Sequence, residues 1–575
     1  MWNPTSKSCL LFVCLAISTQ QLFAQAGVAS LSGRVLDPST AIVSGATVTA
    51  TNQGTKITRT TVTDNSGYYN FPSLPIGPTI VSVEQPGFEK AEQTVLLDPS
   101  EKARQDFQLT VAGAASEIQV VDATPEISLN DASIGTTVSN ETIISTPLFQ
   151  RNWDDLIRLI PGVQAQRYTE QSGGTASGRT GSFNIHGIDS TQNNFILDGI
   201  DNNTFSENVQ ELSTQASRPS VDVIGEFKLI SNPYTAEYGR SPGAVVDVTT
   251  KGGTNEFHGL LFEYLRNRVL DANDFFSNRT HQPKPANVQN QFGGNFSAPV
   301  VKNKLFGFFN YEGTRIRRGI TRIATVPLPN ERIGDFSSAA ASANGVTYPK
   351  VVDPATNIQF PNNVVPANLI DPYGQKLLNL FPLPNQRGLV SNINNFARTG
   401  ALVDDTDSYD ARVDWSANEK NLVFVRYTGS DRIRDIPGYL GGIADGTSTS
   451  AWGNATLKSY SAVLGWTHIF GPQVVNDFRL GFVRNFAYDQ QQPFGLNKTS
   501  DYVPGVPDNP AVAGGVSQTS FTGFGFIGSP DYLPKQQVPQ QFQYTDVLSW
   551  NRGAHSLRFG VDVRAPMRNL YQDQA

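Results

Sequence analysis

Cysteine is almost missing from this chain: two in 575 residues, Cys9 and Cys14, both near the start. No disulfide framework can brace the folded domains, which argues against a eukaryotic secreted scaffold. Charge is scarce as well, at 17% of residues against about 25% in an average soluble domain. The 44 Lys and Arg face 51 Asp and Glu with no basic block, so nucleic acid is not an expected partner. No run of 18 apolar residues occurs, which rules out a bundle of membrane helices. The five histidines (His186, His258, His281, His468, His555) are scattered, none with a Glu or His at helical metal-site spacing. What is abundant is 50 Gly, 35 Pro and 10% aromatics, beside an ordinary apolar share that excludes a disordered chain. The composition describes a large, turn-rich β protein of three to five domains, or one large domain with appendages.

The N-terminus indicates the compartment. Lys7 is followed by an apolar stretch over residues 9–17, then small residues ending Ala24-Gln25-Ala26. A weakly basic start, an apolar core too short to span a bilayer and an Ala-x-Ala exit make a secretory leader, residues 1–26. Val13 before Cys14 is too bulky for lipoprotein processing. Both cysteines leave with the leader, and an exported chain of this size without cysteine suits a bacterial envelope.

Residues 27–111 are short β-type runs with turn signals between them, the spacing of a small antiparallel sandwich. Gly33-x-Val35-x-Asp37, Gly45-Ala46-x-Val48, Asp64-x-x-Gly67-x-Tyr69-x-Phe71, Leu74-Pro75 and Gly87-Phe88 together resemble the carboxypeptidase-regulatory-like domain. That resemblance implies a prealbumin-like, carbohydrate-binding-like fold that serves as an accessory without catalytic residues.

Residues 112–129 form a small-residue connector containing Glu117-Ile118-Gln119-Val120-Val121. After it, Asn152 reads as the N-cap of a short helix from Trp153 to Ile160, with Asp154 and Asp155 complementing its positive end and Pro161 stopping it. Trp153, Ile157 and Ile160 share its packed face. Leu156-x-x-Leu159-x-Pro161-Gly162-Val163 is followed by Phe183 to Gly187 and by a strand running into Asp198-Gly199. Glu237-Tyr238-Gly239-Arg240 and a final run from Gly243 to Lys251 complete the series. In this order they resemble the plug of TonB-dependent outer-membrane receptors, residues 130–251, with His186 standing where an Arg is usual. Together with the sandwich and Asn255-Glu256-Phe257-His258-Gly259, they resemble the Oar-like subfamily.

The remainder, residues 252–575, shows period two. Tyr409, Ala411, Val413 and Trp415 alternate with Asp410, Arg412 and Asp414. Tyr460, Ala462, Leu464, Trp466 and Phe470 form a second such face, and Phe478, Leu480 and Phe482 a third opposite Asp477 and Arg479. Phe542, Tyr544, Leu548 and Trp550 oppose Gln543, Thr545 and Ser549, while Leu557, Phe559, Val561 and Val563 oppose Arg558, Gly560, Asp562 and Arg564. Leu260, Phe262 and Tyr264 are read as the first outward face, with Phe306 and Phe308 in a less regular member. A large apolar face opposite a charged one is wrong for a soluble sandwich and suits lipid outside with water inside. Nine strands are expected near 259–266, 290–301, 304–313, 408–416, 421–428, 458–470, 474–484, 541–550 and 556–564. Alternate connections are tight and the others long, as in outer-membrane barrels. Nine strands leave an open edge that lipid cannot satisfy, so the chain reads as the N-terminal part of a longer receptor. The fold class is thus all-β dominated: a sandwich, an α+β plug, and part of a transmembrane antiparallel barrel.

Other chemistries fail or stay secondary. Gly239-Arg240-Ser241-Pro242-Gly243 matches a nucleophile elbow in letters, but Pro242 has no N–H for an oxyanion hole. Asp404-Asp405-Thr406-Asp407 is read as a solvated loop end, with calcium as the sharper alternative. Asp198 and Asp201 are read as turn residues rather than ligands. No catalytic residue, metal or cofactor is expected, and the chain is not read as an enzyme. Resemblance implies a receptor in the outer membrane of a Gram-negative bacterium, with outer-membrane lipid around the barrel and the N-terminal domain in the periplasm. It further implies partnership with TonB, ExbB and ExbD, and import of an unidentified nutrient (oligosaccharide, peptide or siderophore) on the inner-membrane proton gradient. Residues 117–121 are the candidate TonB box, an extended segment suited to sheet-edge addition; a strand internal to the plug is the competing reading. Pro161, Gly162, Gly187, Asp198, Gly199, Tyr238, Gly239, Arg240 and Lys251 carry the plug motifs. A non-transporting surface protein for adhesion or glycan binding is the alternative function.

Export is tested by N-terminal sequencing of the membrane-bound protein. It is expected to begin at Gln25 or Gly27, after cleavage at Ala24 or Ala26; an intact Met1 excludes the leader.

Overall fold

A computed structural model describes residues 28–97, 102–112, 135–148, 151–165, 183–204, 215–231, 236–239, 242–273, 275–279, 284–386, 393–445, 453–471, 473–491, 499–506, 516–528, 533–552 and 555–572. The leader with Ala24 and Ala26, residues 117–121, and Arg240 lie outside them.

The N-terminal unit comprises β1 (Val28–Leu36), β2 (Thr47–Asn52), β3 (Thr58–Val62), β4 (Tyr68–Pro75), β5 (Gly77–Glu84), β6 (Ala91–Leu97), β7 (Lys102–Arg104) and β8 (Phe107–Gln108). One sheet runs β4-β1-β7 with β8 also on β1; the other runs β3-β2-β5-β6. Alternate residues Leu31, Val35, Val48, Val81 and Val83 fill the space between the sheets, which is a sandwich as the sequence indicates. The turn into β4 closes because Asp64 Oδ1 accepts from Ser66 N (2.8 Å) and Tyr68 N (3.0 Å), while Gly67 takes a positive φ of 66°.

The plug contains β9 (Gly135–Ser139), β10 (Val163–Ala165), β11 (Phe183–Ile185), β12 (Asn194–Leu197), β13 (Ile200–Asp201), β14 (Ile224–Ile230) and β15 (Val245–Thr250). Its main sheet is ordered β13-β12-β15-β14-β9, with β12 parallel to β15. Trp153 lies 5.3 Å from Phe227 between ring centroids, over a core that includes Leu156, Ile157 and Ile160. The segment Trp153–Leu159 is a 3-10 helix, and Asn152 makes no side-chain cap. Seven residues forced to end before Pro161 leave little room for i→i+4 bonds, and the tighter i→i+3 pattern results. Asp154 is buried and serves Arg218 (2.8 Å) and Gln215 (3.1 Å) instead of a helix end.

Nine antiparallel strands follow: β16 (His258–Asn267), β17 (Asn287–Val301), β18 (Leu305–Ala324), β19 (Phe396–Asn418), β20 (Asn421–Ile436), β21 (Gly453–Gly471), β22 (Val474–Gln490), β23 (Lys535–Arg552) and β24 (His555–Gln572). They pair strictly in sequence order, and the sheet is open, with β16 and β24 at its edges. Each strand is found where periodicity places it, but most run further toward the long connections. There the outward face carries ion pairs, Arg315 with Asp407 and Arg317 with Asp405, so apolar alternation stops while backbone pairing continues. The acidic run 404–407 accordingly lies inside β19, not at a loop end.

Outward residues such as Tyr409, Val413, Trp415, Val425, Phe470 and Tyr544 are exposed. Tyr311, Tyr409 and Tyr460 align across β18, β19 and β21 at one level, and Trp415 and Trp466 stand six residues closer to the short turns. Six residues span about 20 Å of strand, comparable with the apolar band between the aromatic girdles of such barrels. Two expectations are corrected. Phe262 and Tyr264 share a face with the inward Glu312 side of the sheet, under the Arg151 guanidinium at 4.1 and 5.2 Å from the ring centroids. Phe306 and Phe308 are also inward and buried. These aromatics pack against the plug, while Leu261 and Leu265 take the outward positions.

On β24, Arg558 and Arg564 reach the plug residues Glu237 and Asp201, which fixes even positions to the lumen and odd ones to lipid. An Arg at Phe559 in the full-length protein is therefore expected to cost about 2–4 kcal/mol if it lies near the bilayer midplane. Single cysteines at 557–563 check the faces: bilayer quenchers should reach only odd positions. Equal aqueous labelling of both sets would mean a soluble sheet.

Candidate functional site

The plug meets the barrel wall through the β12–β13 hairpin. Asp198 and Gly199 at its tip have φ of 49° and 78°, the left-handed pair that an Asp-Gly turn supplies cheaply. Gly199 is also required by contact, because a Cβ there falls on the Arg479 guanidinium.

Asp198 is buried, and both carboxylate oxygens are fully engaged. Oδ1 accepts from Arg412 Nη1 (3.1 Å) and Thr250 N (3.0 Å); Oδ2 accepts from Arg426 Nε (3.0 Å) and Thr250 Oγ1 (2.9 Å). Burial alone would raise this carboxyl, but the Arg412 and Arg426 charges and the Thr250 donors outweigh it and hold the group below its ordinary range. The two arginines are themselves shared: Arg412 donates to Asp414 and to Thr250 O, and Arg426 to Ser461 Oγ at 2.8 Å. Beside this ionic cluster, Ile200 packs on Phe424, Val463 and Val483 of the wall. Asp201 N donates to Gln543 Oε1 (2.7 Å), its carboxylate pairs with Arg564, and Asn485 donates to Ala216 O. Arg151 bridges Asp222 of the plug and Glu312 of the wall.

The other motif residues divide into two groups. Pro161 and Gly162 meet Gly187 through the backbone, His186 N donating to Gly162 O at 2.9 Å. Gly162 has a φ of 87°, and a Cβ there would strike the His186 ring, so the histidine in place of the usual arginine packs against this turn. Lys251 follows Thr250 directly; burial lowers its ammonium, opposed by Asp222. Tyr238 and Gly239 stand apart, next to the Glu237–Arg558 pair at 2.7 Å. Each acid of the run 404–407 is taken by arginine, Asp404 by Arg432, Asp405 by Arg317 and Asp407 by Arg315, which leaves no carboxylate of that run for calcium. Arg412, Arg426, Thr250, Gln543 and Asn485 carry the site without having been singled out. Their signal was the charged or polar residue at an inward position between outward apolar ones.

Residues 249–575 match the model of the outer membrane beta barrel domain, residues 128–245 that of the TonB-dependent receptor plug domain, and residues 30–110 that of the carboxypeptidase regulatory-like domain. A curated relative, the TonB-dependent transporter Oar of Myxococcus xanthus, is 26% identical over 294 residues, covering 48% of this chain and 25% of that protein. The chain thus spans about a quarter of the length of that relative. Among solved structures, the outer membrane transporter YddB of Escherichia coli aligns over 76% of this chain and 49% of its own, at 13% identity and a TM-score of 0.46. The ferric enterobactin receptor PfeA of Pseudomonas aeruginosa aligns over 75% and 49%, at 12% identity and 0.41.

Replacing Asp198 by Asn leaves two buried guanidinium groups without their anion, and is expected to destabilise the plug by about 3–5 kcal/mol. Urea unfolding of the detergent-solubilised receptor, followed at Trp153, measures it; a loss under about 1 kcal/mol would contradict the cluster described. The depressed carboxyl contributes fully above its unfolded titration near pH 4 and is lost only as pH falls through the lower folded value. The Asn variant should lack that acid transition.

Proposed function

Because the chain belongs to the outer-membrane β-barrel family and carries a TonB-dependent receptor plug ahead of the barrel, we propose that it captures a nutrient at its outer loops and admits it through a lumen that the plug blocks. Energy comes from the inner-membrane proton gradient through TonB with ExbB and ExbD, and the cargo is an oligosaccharide, peptide or siderophore. The observation that carries this reading is the ion-paired contact of Asp198 with Arg412 and Arg426. A permanent seal is better made by apolar packing, since buried ion pairs add little net stability over an apolar replacement. A contact built mainly from charges and hydrogen bonds, with Ile200 as its apolar knob, holds position yet can be exchanged for water when the plug moves.

The periplasmic placement of the N-terminal domain is supported by its position at the short-turn end of the barrel, where Asn255 joins it to the β17–β18 turn. Residues 117–121 are the TonB-docking segment in this reading. In this reading Pro161, Gly162, Gly187, Asp198, Gly199, Tyr238, Gly239, Arg240 and Lys251 are the motif residues of the plug.

A Val120→Pro change removes a backbone donor from any strand that adds to TonB's sheet. The full-length receptor carrying it should no longer co-purify with the periplasmic domain of TonB, while Val120→Thr should be retained. Equal retention of both variants moves the docking segment elsewhere.

A further inference from the structure

The N-terminal sandwich sits against the short-turn end of the nine-stranded sheet, and its contacts there are specific. Asn255, between the plug and β16, uses its side chain three times: Nδ2 donates to Thr55 O of the β2–β3 turn (2.7 Å) and to Asn303 Oδ1 (2.8 Å). Its Oδ1 accepts from Asn303 N (2.8 Å), and its own N donates to Gly54 O (3.2 Å). One asparagine thereby ties the tip of a sandwich hairpin to a barrel turn. Nearby, Arg59 on β3 is buried and feels Glu419 of the β19–β20 turn. Strand β4 lies against β22 and β23.

Above that contact is a cavity of about 480 Å³. Its walls come from all three units: Ser30 and Asn70 from the sandwich, Lys228 and Asp247 from the plug, Arg479 and Thr545 from the barrel. The docking face is polar and incompletely satisfied. Arg59 Nε and Nη2 and Asn70 Nδ2 are buried without a hydrogen-bond partner, and such groups weaken the closed arrangement. The sandwich core and the plug core are separate apolar clusters, and the apolar cluster shared with the wall includes no sandwich residue. Polar interfaces of this kind leave relative domain motion as the default.

We infer that the N-terminal sandwich is a releasable floor beneath the plug, clamped to the barrel rim by Asn255, which closes the periplasmic mouth of the lumen until it swings away. This rests on the transport reading above, in which cargo must leave through that mouth.

The test uses the full-length receptor in permeabilised outer membranes, with every native cysteine replaced by serine. Docking is read first. A Cβ at Gly54 would lie 3.6 Å from Thr254 Cγ2, so Gly54→Cys with Thr254→Cys should form a disulfide on mild oxidation. Failure to cross-link in a folded receptor overturns the docked arrangement. Closure is read second, with Thr545→Cys in the cavity wall and a 5-kDa polyethylene-glycol maleimide as the probe. Adding Asn255→Ala should raise its labelling rate at least tenfold, while a lipid-facing Val413→Cys control labels equally slowly in both backgrounds. An unchanged rate at position 545, with the cross-link formed, would mean that the sandwich docks without closing anything, and the inference falls. Neither result bears on capture of TonB by 117–121, so failure of the floor and failure of the transport reading are separable.

Discussion

Within a bilayer no water is available to pair with a backbone amide, so each strand that crosses must satisfy its neighbours on both sides. That constraint organises the rest of the chain after residue 257. Nine strands hydrogen-bond in strict sequence order, and because strand side chains alternate, one face of the sheet is given to lipid and the other to the interior. The two faces then obey different rules. Outside, tyrosines at one level and tryptophans at another bracket an apolar band. Inside, the wall must receive a folded plug, and it does so with arginines, glutamines and a few aromatics.

The inward face shows why charge is tolerable there. Asp198, Arg412 and Arg426 are all nearly inaccessible, and an isolated charge at such depth would be prohibitive. Each is instead provided with several partners, and Thr250 serves both sides by donating to Asp198 and accepting from Arg412. The cluster thus ties the hairpin tip, the last plug strand and two barrel strands at one point. Ile200, two residues along the same hairpin, adds shape: it fits where Gly481 of β22 leaves space for it. Ionic bonds give register and the single apolar knob gives depth.

Much of this was legible in the sequence, and the reasons for the gaps are physical. Strand positions were readable because lipid imposes apolar residues at period two, but strand lengths were not, because above the tyrosine level Arg315 and Arg317 replace apolar residues without interrupting the ladder. Period two also fails to say which face is which when both carry large residues, and Phe262 and Tyr264 were assigned to lipid for that reason. In the plug, Gly162, Gly187 and Gly199 were legible because positive φ leaves a glycine signature at turns. The partners of Asp198 were not: Arg412 and Arg426 lie more than 200 residues away, and nothing local in either segment announces the other. The helix expected from Trp153 differs in pitch and lacks the Asn152 cap and the Asp154 end charge, while the burial of Trp153, Ile157 and Ile160 follows from the same apolar spacing.

The contacts between the three units form a graded series, and the gradation has a mechanical consequence. Plug and wall share an apolar cluster as well as buried ion pairs; sandwich and rim share hydrogen bonds around Asn255 and an incompletely satisfied Arg59. Apolar burial is roughly proportional to area and non-directional, so it yields gradually under displacement. A hydrogen bond weakens steeply with angle and distance, so a contact made of hydrogen bonds lets go over a short movement. A displacement that parts the three units therefore meets its weakest resistance at the rim and a stronger one at the wall. For the releasable floor inferred above, this gradation means that the rim contact at Asn255 parts first and the apolar seat of Ile200 in the wall last.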